Sequence, residues 1–270
     1  MSKMYTKRTW GDSDTLTNVW LFGDSIAGFW SYKDRFDGWF FDLIRFYKKR
    51  GFNIKGHDAS INGGFLYNSV GADYTKPAYI VGSRPGRIAG RTIDEAIADN
   101  ATDIILAMTN NDTYLNYTSP NPSGLNNIAD EKRDLYAYYQ SKCDANNITL
   151  HILTENTNIS NQEVVDKFKF ITDTLVSLGQ HNFVDNFYTL ADPENNFLAK
   201  AGYYLNGIHP NYVGNDAVFD TLLAYIDEFY SLTQEVYTLT SDNPCGNNAL
   251  LLDDNNIALV DDSGNFLFGD

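Results

Sequence analysis

Val19-Trp20-Leu21-Phe22-Gly23-Asp24-Ser25 decides how this chain is read. Four consecutive apolar residues rich in β-formers, stopped by a glycine, have the length and composition of a buried strand. The Gly-Asp-Ser turn that closes the run sets a serine just past the strand's carboxyl end.

Outward from that strand, apolar runs alternate with helical periodicity. Trp39, Phe40, Leu43, Ile44 and Tyr47 recur at helical spacing, Lys48, Lys49 and Arg50 suit a helix C-terminus, and Gly51 is the stop, so a helix is predicted over 39–49. Residues 52–83 mix short strand-like pieces with Gly63-Gly64 and Gly71 and read as an insertion. Further helices are predicted at 92–98, 129–145, 163–178 and 217–230, and strands at 103–108, 148–153 and 182–184. Strands alternating with helices build an open α/β sheet covered on both faces, here spanning 15–230.

The tail from residue 235 changes character. Ala249-Leu250-Leu251-Leu252, Ile257-Ala258-Leu259-Val260 and Asn265-Phe266-Leu267-Phe268 are separated by acidic turns, which reads as a small β-meander within a 235–270 extension. Strands this short cannot bury a core alone, so they are expected to pack on the main domain or on another chain.

Composition narrows the partners. With 270 residues, 43% of them hydrophobic, the chain can bury a sizeable core. A formal charge of -15 without a basic stripe argues against nucleic acid and anionic lipid surfaces. No apolar stretch reaches the roughly 18 residues of a membrane helix, and residues 1–14 hold no signal-peptide core, so synthesis in the cytoplasm without a membrane segment is expected. Cys143 and Cys245 read as free thiols, and His57, His151 and His181 lack ligand spacing, so neither metal nor cofactor is expected.

Ligands of open α/β sheets gather at the carboxyl ends of the strands. Three loops qualify: Ser25 follows the first strand, Asn111 follows the 103–108 strand, and His209 lies in Asn206-Gly207-Ile208-His209-Pro210 before the last helix. A hydroxyl becomes a nucleophile when a base takes its proton, and histidine suits that task near neutrality. Ser25 and His209 are therefore the expected pair. Gly11-Asp12-Ser13 repeats the three letters after a polar stretch and reads as a loop, while Asp24 and Asp112 read as turn or cap residues.

Those residues resemble the SGNH (GDSL-type) hydrolases. The first block of that family is matched by 19–25, the third by Thr109-Asn110-Asn111-Asp112, and the fifth by Asn206-Gly207-Ile208-His209-Pro210 with Gly214 following. For the second block, a glycine opening a helix, Gly90 in Arg87-Ile88-Ala89-Gly90-Arg91-Thr92 is the better match and Gly64 the alternative. The resemblance covers about 19–230 and implies a flavodoxin-like three-layer α/β/α fold with ester hydrolysis. It makes Ser25 the nucleophile and His209 the base. Backbone N–H groups of Ser25 and Gly90, with the Asn111 side-chain amide, would form the oxyanion hole.

Two departures stand out. Thr109 replaces the usual glycine of the third block, and Asn206 replaces the triad aspartate that would hold the His209 tautomer and stabilise the imidazolium. Three readings of Asn206 stay open: a Ser-His dyad with another acceptor, a weakened or purely binding relative, or an introduced inactivating substitution. The expected substrate is a small acyl ester, plausibly acetyl on a carbohydrate, with Tyr114, Tyr117, Tyr203 and Tyr204 placed to stack on sugar rings. The competing expectation is a non-catalytic glycan-binding or virion structural protein. The acidic strand-turn tail looks like the C-terminal segments of some phage structural proteins, which points to a phage-borne, virion-associated deacetylase that attaches or self-associates through the tail.

Overall fold

The computed structural model describes residues 16–27, 38–61, 64, 66, 92–107, 111 and 125–232, together with the backbone of 249–250 and 268–269. Five parallel strands, β1 (Thr17–Gly23), β2 (Ile54–Asp58), β3 (Asp103–Ala107), β4 (Thr149–Leu153) and β5 (Phe183–Val184), form one sheet in the order β2-β1-β3-β4-β5. The helices are α1 (Trp39–Lys49), α2 (Ile93–Ala98), α3 (Leu125–Ala145), α4 (Gln162–Ser177), the short α5 (Phe187–Leu190) and α6 (Tyr212–Tyr230).

The sheet is buried on both faces, which is why its strands read as continuous apolar runs and not as alternating ones. Val19 and Leu21 of β1 and Ile105 of β3 pack with Phe40, Leu43 and Tyr47 of α1 and Leu222 and Ile226 of α6. Trp20 and Phe22, with Ile104 and Leu106, face the other way onto Ile93 of α2, Leu135 and Tyr139 of α3 and Ile171 of α4. One layer of helices therefore covers each face, and the three-layer α/β/α architecture follows.

One of the strand-like pieces of 52–83, β2, belongs to the main sheet and not to an insertion. Its Ile-Lys-Gly-His-Asp sequence carries one apolar side chain, so its strand signal is weak. The strand exists because its neighbours accept those residues. A Cβ on Gly56 would lie 2.6 Å from Ile44 Cγ1, so glycine lets α1 settle on the sheet edge. His57 stacks on Trp20 with ring centroids 4.7 Å apart, and Lys55 Nζ reaches Asp99 at 3.3 Å.

Two helices begin earlier than predicted, α3 at Leu125 and α6 at Tyr212. For α6 the cause is Asn211, whose side chain accepts the Gly214 N–H at 3.1 Å and caps the helix ahead of a glycine that reads as loop. In the tail, β6 (Ala249–Leu250) pairs antiparallel with β7 (Phe268–Gly269). The strand expected at 257–260 lies outside the described residues.

Candidate active site

In the order β2-β1-β3-β4-β5 the crossover direction reverses between β1 and β3, and the crevice at their carboxyl ends is where such folds bind ligands. β1 delivers Ser25 there and β3 leads to Asn111. The loop after β2 arrives alongside because its ladder runs on past the strand: Ala59 N–H donates to Leu21 O at 2.8 Å and Ile61 N–H to Gly23 O at 2.9 Å. That extension carries Gly64 to Asn111, whose Nδ2 donates to Gly64 O at 2.9 Å. Gly90, the glycine favoured from sequence, lies outside the described residues, as do Asp112, Tyr114 and Tyr117. Gly64, the alternative, touches Asn111 through its carbonyl, while its N–H is donated to Ile61 O at 2.8 Å.

The His209 loop comes from the far end of the chain and is held on three sides. Tyr204 and Pro210 form an antiparallel bridge, with Leu205 N–H donating to His209 O at 2.9 Å. Ile159 N–H donates to Gly207 O at 3.1 Å and Tyr204 OH to Thr157 O at 3.3 Å, so the loop leans on the segment after β4. Beneath it, Gly214 leaves no room for a side chain: a Cβ there would stand 2.9 Å from Pro210 Cβ.

These supports bring Ser25 Oγ to 3.1 Å from His209 Nε2. On the other side of the ring, His209 Nδ1 lies 2.9 Å from Asn206 Oδ1. The same oxygen accepts the backbone N–H of His209 at 3.1 Å and of Ile208 at 3.3 Å. Those two donors settle which way the amide points, because Nδ2 cannot accept a hydrogen bond. With Oδ1 facing the ring, His209 Nδ1 carries the proton and Nε2 is left with its lone pair toward Ser25 Oγ–H. Asn206 thus supplies the tautomer that an aspartate would supply, without the charge.

The electrostatics differ accordingly. Burial alone pushes the His209 pKa below its ordinary 6.5, so the ring is neutral and basic at neutral pH. Asp24 is 1% exposed, and burial lifts its carboxyl to about 7 against the pull of the Ile26 and Ala27 backbone N–H groups. Its Oδ1 accepts the Ile26 N–H at 2.8 Å, the turn-ordering role read from the sequence, and its Oδ2 faces Asn111 Nδ2 at 3.5 Å.

The sequence reading missed the polar run Thr154-Glu155-Asn156-Thr157-Asn158, every residue of which is buried. Thr154 Oγ1 accepts the Asn186 and Phe187 N–H groups at 2.9 Å each, and Asn158 Oδ1 accepts those of Ser160 and Asn161 at 3.0 Å each. Five polar residues directly after a buried strand are a usable signal, since such a run is buried only when it satisfies backbone groups. The remaining histidines serve elsewhere: His151 is buried with Asp103 and Tyr225, and His181 meets Gln140 at 3.4 Å. Among the described residues no group of three His, Cys, Asp or Glu side chains is placed to hold a metal, and no helix is long and apolar enough to cross a membrane.

No family model matches the chain, and no curated protein matches it in sequence. Solved structures do. The chain superposes on an acetyl xylan esterase, AlAXEase, with a TM-score of 0.54 at 18% identity, covering 77% of this chain and 99% of that one. TesA matches with a TM-score of 0.54 at 12% identity, over 78% of this chain and 99% of that one. The psychrotrophic esterase EstA from Pseudoalteromonas sp. matches with 0.53 at 13% identity, over 80% and 99%. A GDSL-like lipase from Bacteroides thetaiotaomicron is similar as well, with a TM-score of 0.51 at 13% identity, over 79% and 89%. The chain therefore has the three-layer fold that these esterases and the GDSL-like lipase share.

Proposed function

We propose that this protein is a serine ester hydrolase working through a Ser25-His209 dyad oriented by Asn206. The observation that carries the reading is the hydrogen-bonded series Ser25 Oγ, His209 Nε2, His209 Nδ1 and Asn206 Oδ1 at the carboxyl ends of the strands. Ser25 Oγ attacks the ester carbonyl carbon while His209 Nε2 takes the hydroxyl proton. The tetrahedral oxyanion is met by N–H donors: the Ser25 backbone, the Asn111 amide and the Gly90 backbone. Collapse breaks the bond to the alcohol, which leaves with the proton held by His209. Water, activated by the same ring, then hydrolyses the acyl-serine.

The finer proposal is a small acyl group, acetyl on a carbohydrate. It is supported by the fold likeness to an acetyl xylan esterase and by a half-buried Tyr203 beside the His209 loop. A fluorophosphonate probe tests the nucleophile. Intact-mass detection of one adduct on the wild type and none on Ser25→Ala is expected, and an unlabelled wild type removes the hydrolase reading. Hydrolysis of p-nitrophenyl acetate in preference to long-chain esters is expected, and activity on long chains alone removes the acetyl proposal.

One observation favours a second reading, a glycan-binding protein of weak or no activity: the ring of His209 has an amide and no carboxylate behind it. An unreactive Ser25 with retained binding of acetylated polysaccharide would select it. For 235–270 we propose attachment to a virion or self-association, and the antiparallel pairing of β6 with β7 is what supports it. Unchanged assembly after deletion of 235–270 counts against that role.

A further inference from the structure

Asp24 directly precedes Ser25, and each oxygen of its buried carboxyl faces an N–H group. Oδ1 accepts the Ile26 N–H at 2.8 Å and so shapes the turn in which Ser25 presents its hydroxyl and its own N–H. Oδ2 lies 3.5 Å from Asn111 Nδ2. The other hydrogen of that amide goes to Gly64 O at 2.9 Å. Two side chains thereby tie together the loops after β1, β2 and β3.

The two contacts of Asn111 are unequal, and the inequality is informative. At 2.9 Å the bond to the Gly64 carbonyl is a full hydrogen bond that pins the amide plane and the identity of Nδ2. At 3.5 Å the contact to Asp24 is at the limit of hydrogen bonding, so it aims the second hydrogen while leaving it available to a stronger acceptor. A developing oxyanion is such an acceptor.

We propose that Asp24 is a positioning residue for oxyanion stabilisation, holding the Ser25 turn through Oδ1 and aiming the second hydrogen of the Asn111 amide through Oδ2. This rests on the ester-hydrolase reading of Ser25 and Asn111. A carboxyl suits the place because Oδ1 accepts and Oδ2 keeps a lone pair toward Asn111 Nδ2 in either protonation state, whereas an amide would set an N–H₂ group there with no lone pair to offer. Burial, by lifting the carboxyl to about 7, leaves it only partly ionised at neutral pH and so lessens the negative charge beside the nascent oxyanion.

The test is a double-mutant cycle of Asp24→Asn and Asn111→Ala on p-nitrophenyl acetate, read alongside the Asn111 side-chain amide in a ¹⁵N–¹H spectrum. Loss of an oxyanion donor in Asn111→Ala is expected to cost about 100- to 1000-fold in kcat. Asp24→Asn is expected to cost about tenfold in kcat with KM unchanged, because the interaction is made in the transition state. In the Asn111→Ala background the Asp24→Asn cost should vanish. A cost that persists in full there, or no cost in the first place, overturns the proposal and leaves Asp24 a turn-former. The spectrum separates failures: Asp24→Asn should shift and broaden the Asn111 amide pair whether or not ester is turned over. An unmoved pair overturns the positioning role, whereas a wild type that neither turns over ester nor takes up fluorophosphonate, with a moved pair, removes the hydrolase reading alone.

Discussion

The two loops that meet at the site solve opposite problems. The turn after β1 carries a buried acid, Asp24, whose charge burial reduces; the His209 loop lies near the surface and has an exposed amide, Asn206, where charge would be useful. In both places a hydrogen-bonding oxygen is kept, while the negative charge is reduced at Asp24 and absent at Asn206. Orientation, not charge, is what this site builds with.

Serine proteases show how much that distinction is worth: there an Asp-to-Asn exchange behind the histidine costs about 10⁴ in turnover, chiefly through the wrong tautomer. Here the Ile208 and His209 N–H groups hold Asn206 Oδ1 toward the ring, so the tautomer is retained and only the charge is missing. An exposed ion pair is worth about 1 kcal/mol or less, so the missing charge is the smaller part.

The comparison can be broken most severely at its centre. Ser25→Ala should lower kcat for p-nitrophenyl acetate by at least about 10⁴-fold, with the fold intact by circular dichroism; near-wild-type turnover would place the nucleophile elsewhere. Asn206→Leu, which removes the oxygen that holds the tautomer, should lower kcat by about 100-fold or more. If it is as active as the wild type, orientation by Asn206 is not what the histidine needs. Gly214→Ala drives a methyl toward Pro210 and displaces the His209 loop, with an expected loss of about tenfold in kcat and a lower Tm.

Asn206→Asp sharpens the contrast in the other direction. It should raise kcat/KM by only about tenfold or less, the value of one exposed charge, and a gain near 10⁴ would mean that the amide had left the wrong tautomer. The pH profile moves with it. Because burial holds His209 below 6.5, wild-type kcat/KM should fall as pH drops through a value below 6.5, and Asn206→Asp should shift that acid limb upward.

The buried end is read through stability and not through turnover. The Asp24 carboxyl ionises near 3.8 when unfolded and at about 7 when folded, so the folded chain keeps a proton that the unfolded chain releases. The stabilisation is full below 3.8 and is lost as pH rises through 7, on the order of 4 kcal/mol for the whole shift. Asp24→Asn cannot lose it, so its urea midpoint relative to wild type should improve from about pH 4 to about pH 8. A pH-independent difference would mean that Asp24 is ionised in the folded protein.

Much of this was legible in the chain itself. Apolar runs closed by turn residues located β1, β3, β4 and β5, and helical spacing located α1, α2, α4 and most of α3 and α6, because burial on both faces of a parallel sheet imprints itself on local composition. The residues with reactive chemistry, Ser25 and His209, were visible for the same reason, each standing beside a strongly patterned element. The place of β2 in the sheet was not legible, since a glycine and three polar residues become a strand only against Ile44, Trp20 and Asp99. The meeting of Gly64 with Asn111, the polar segment after β4 under the His209 loop, and the orientation of Asn206 were likewise set by tertiary contacts. Period and propensity are properties of neighbours in sequence; which way an amide faces depends on donors brought to it by the fold, and at Asn206 those donors supply the tautomer in place of a charge.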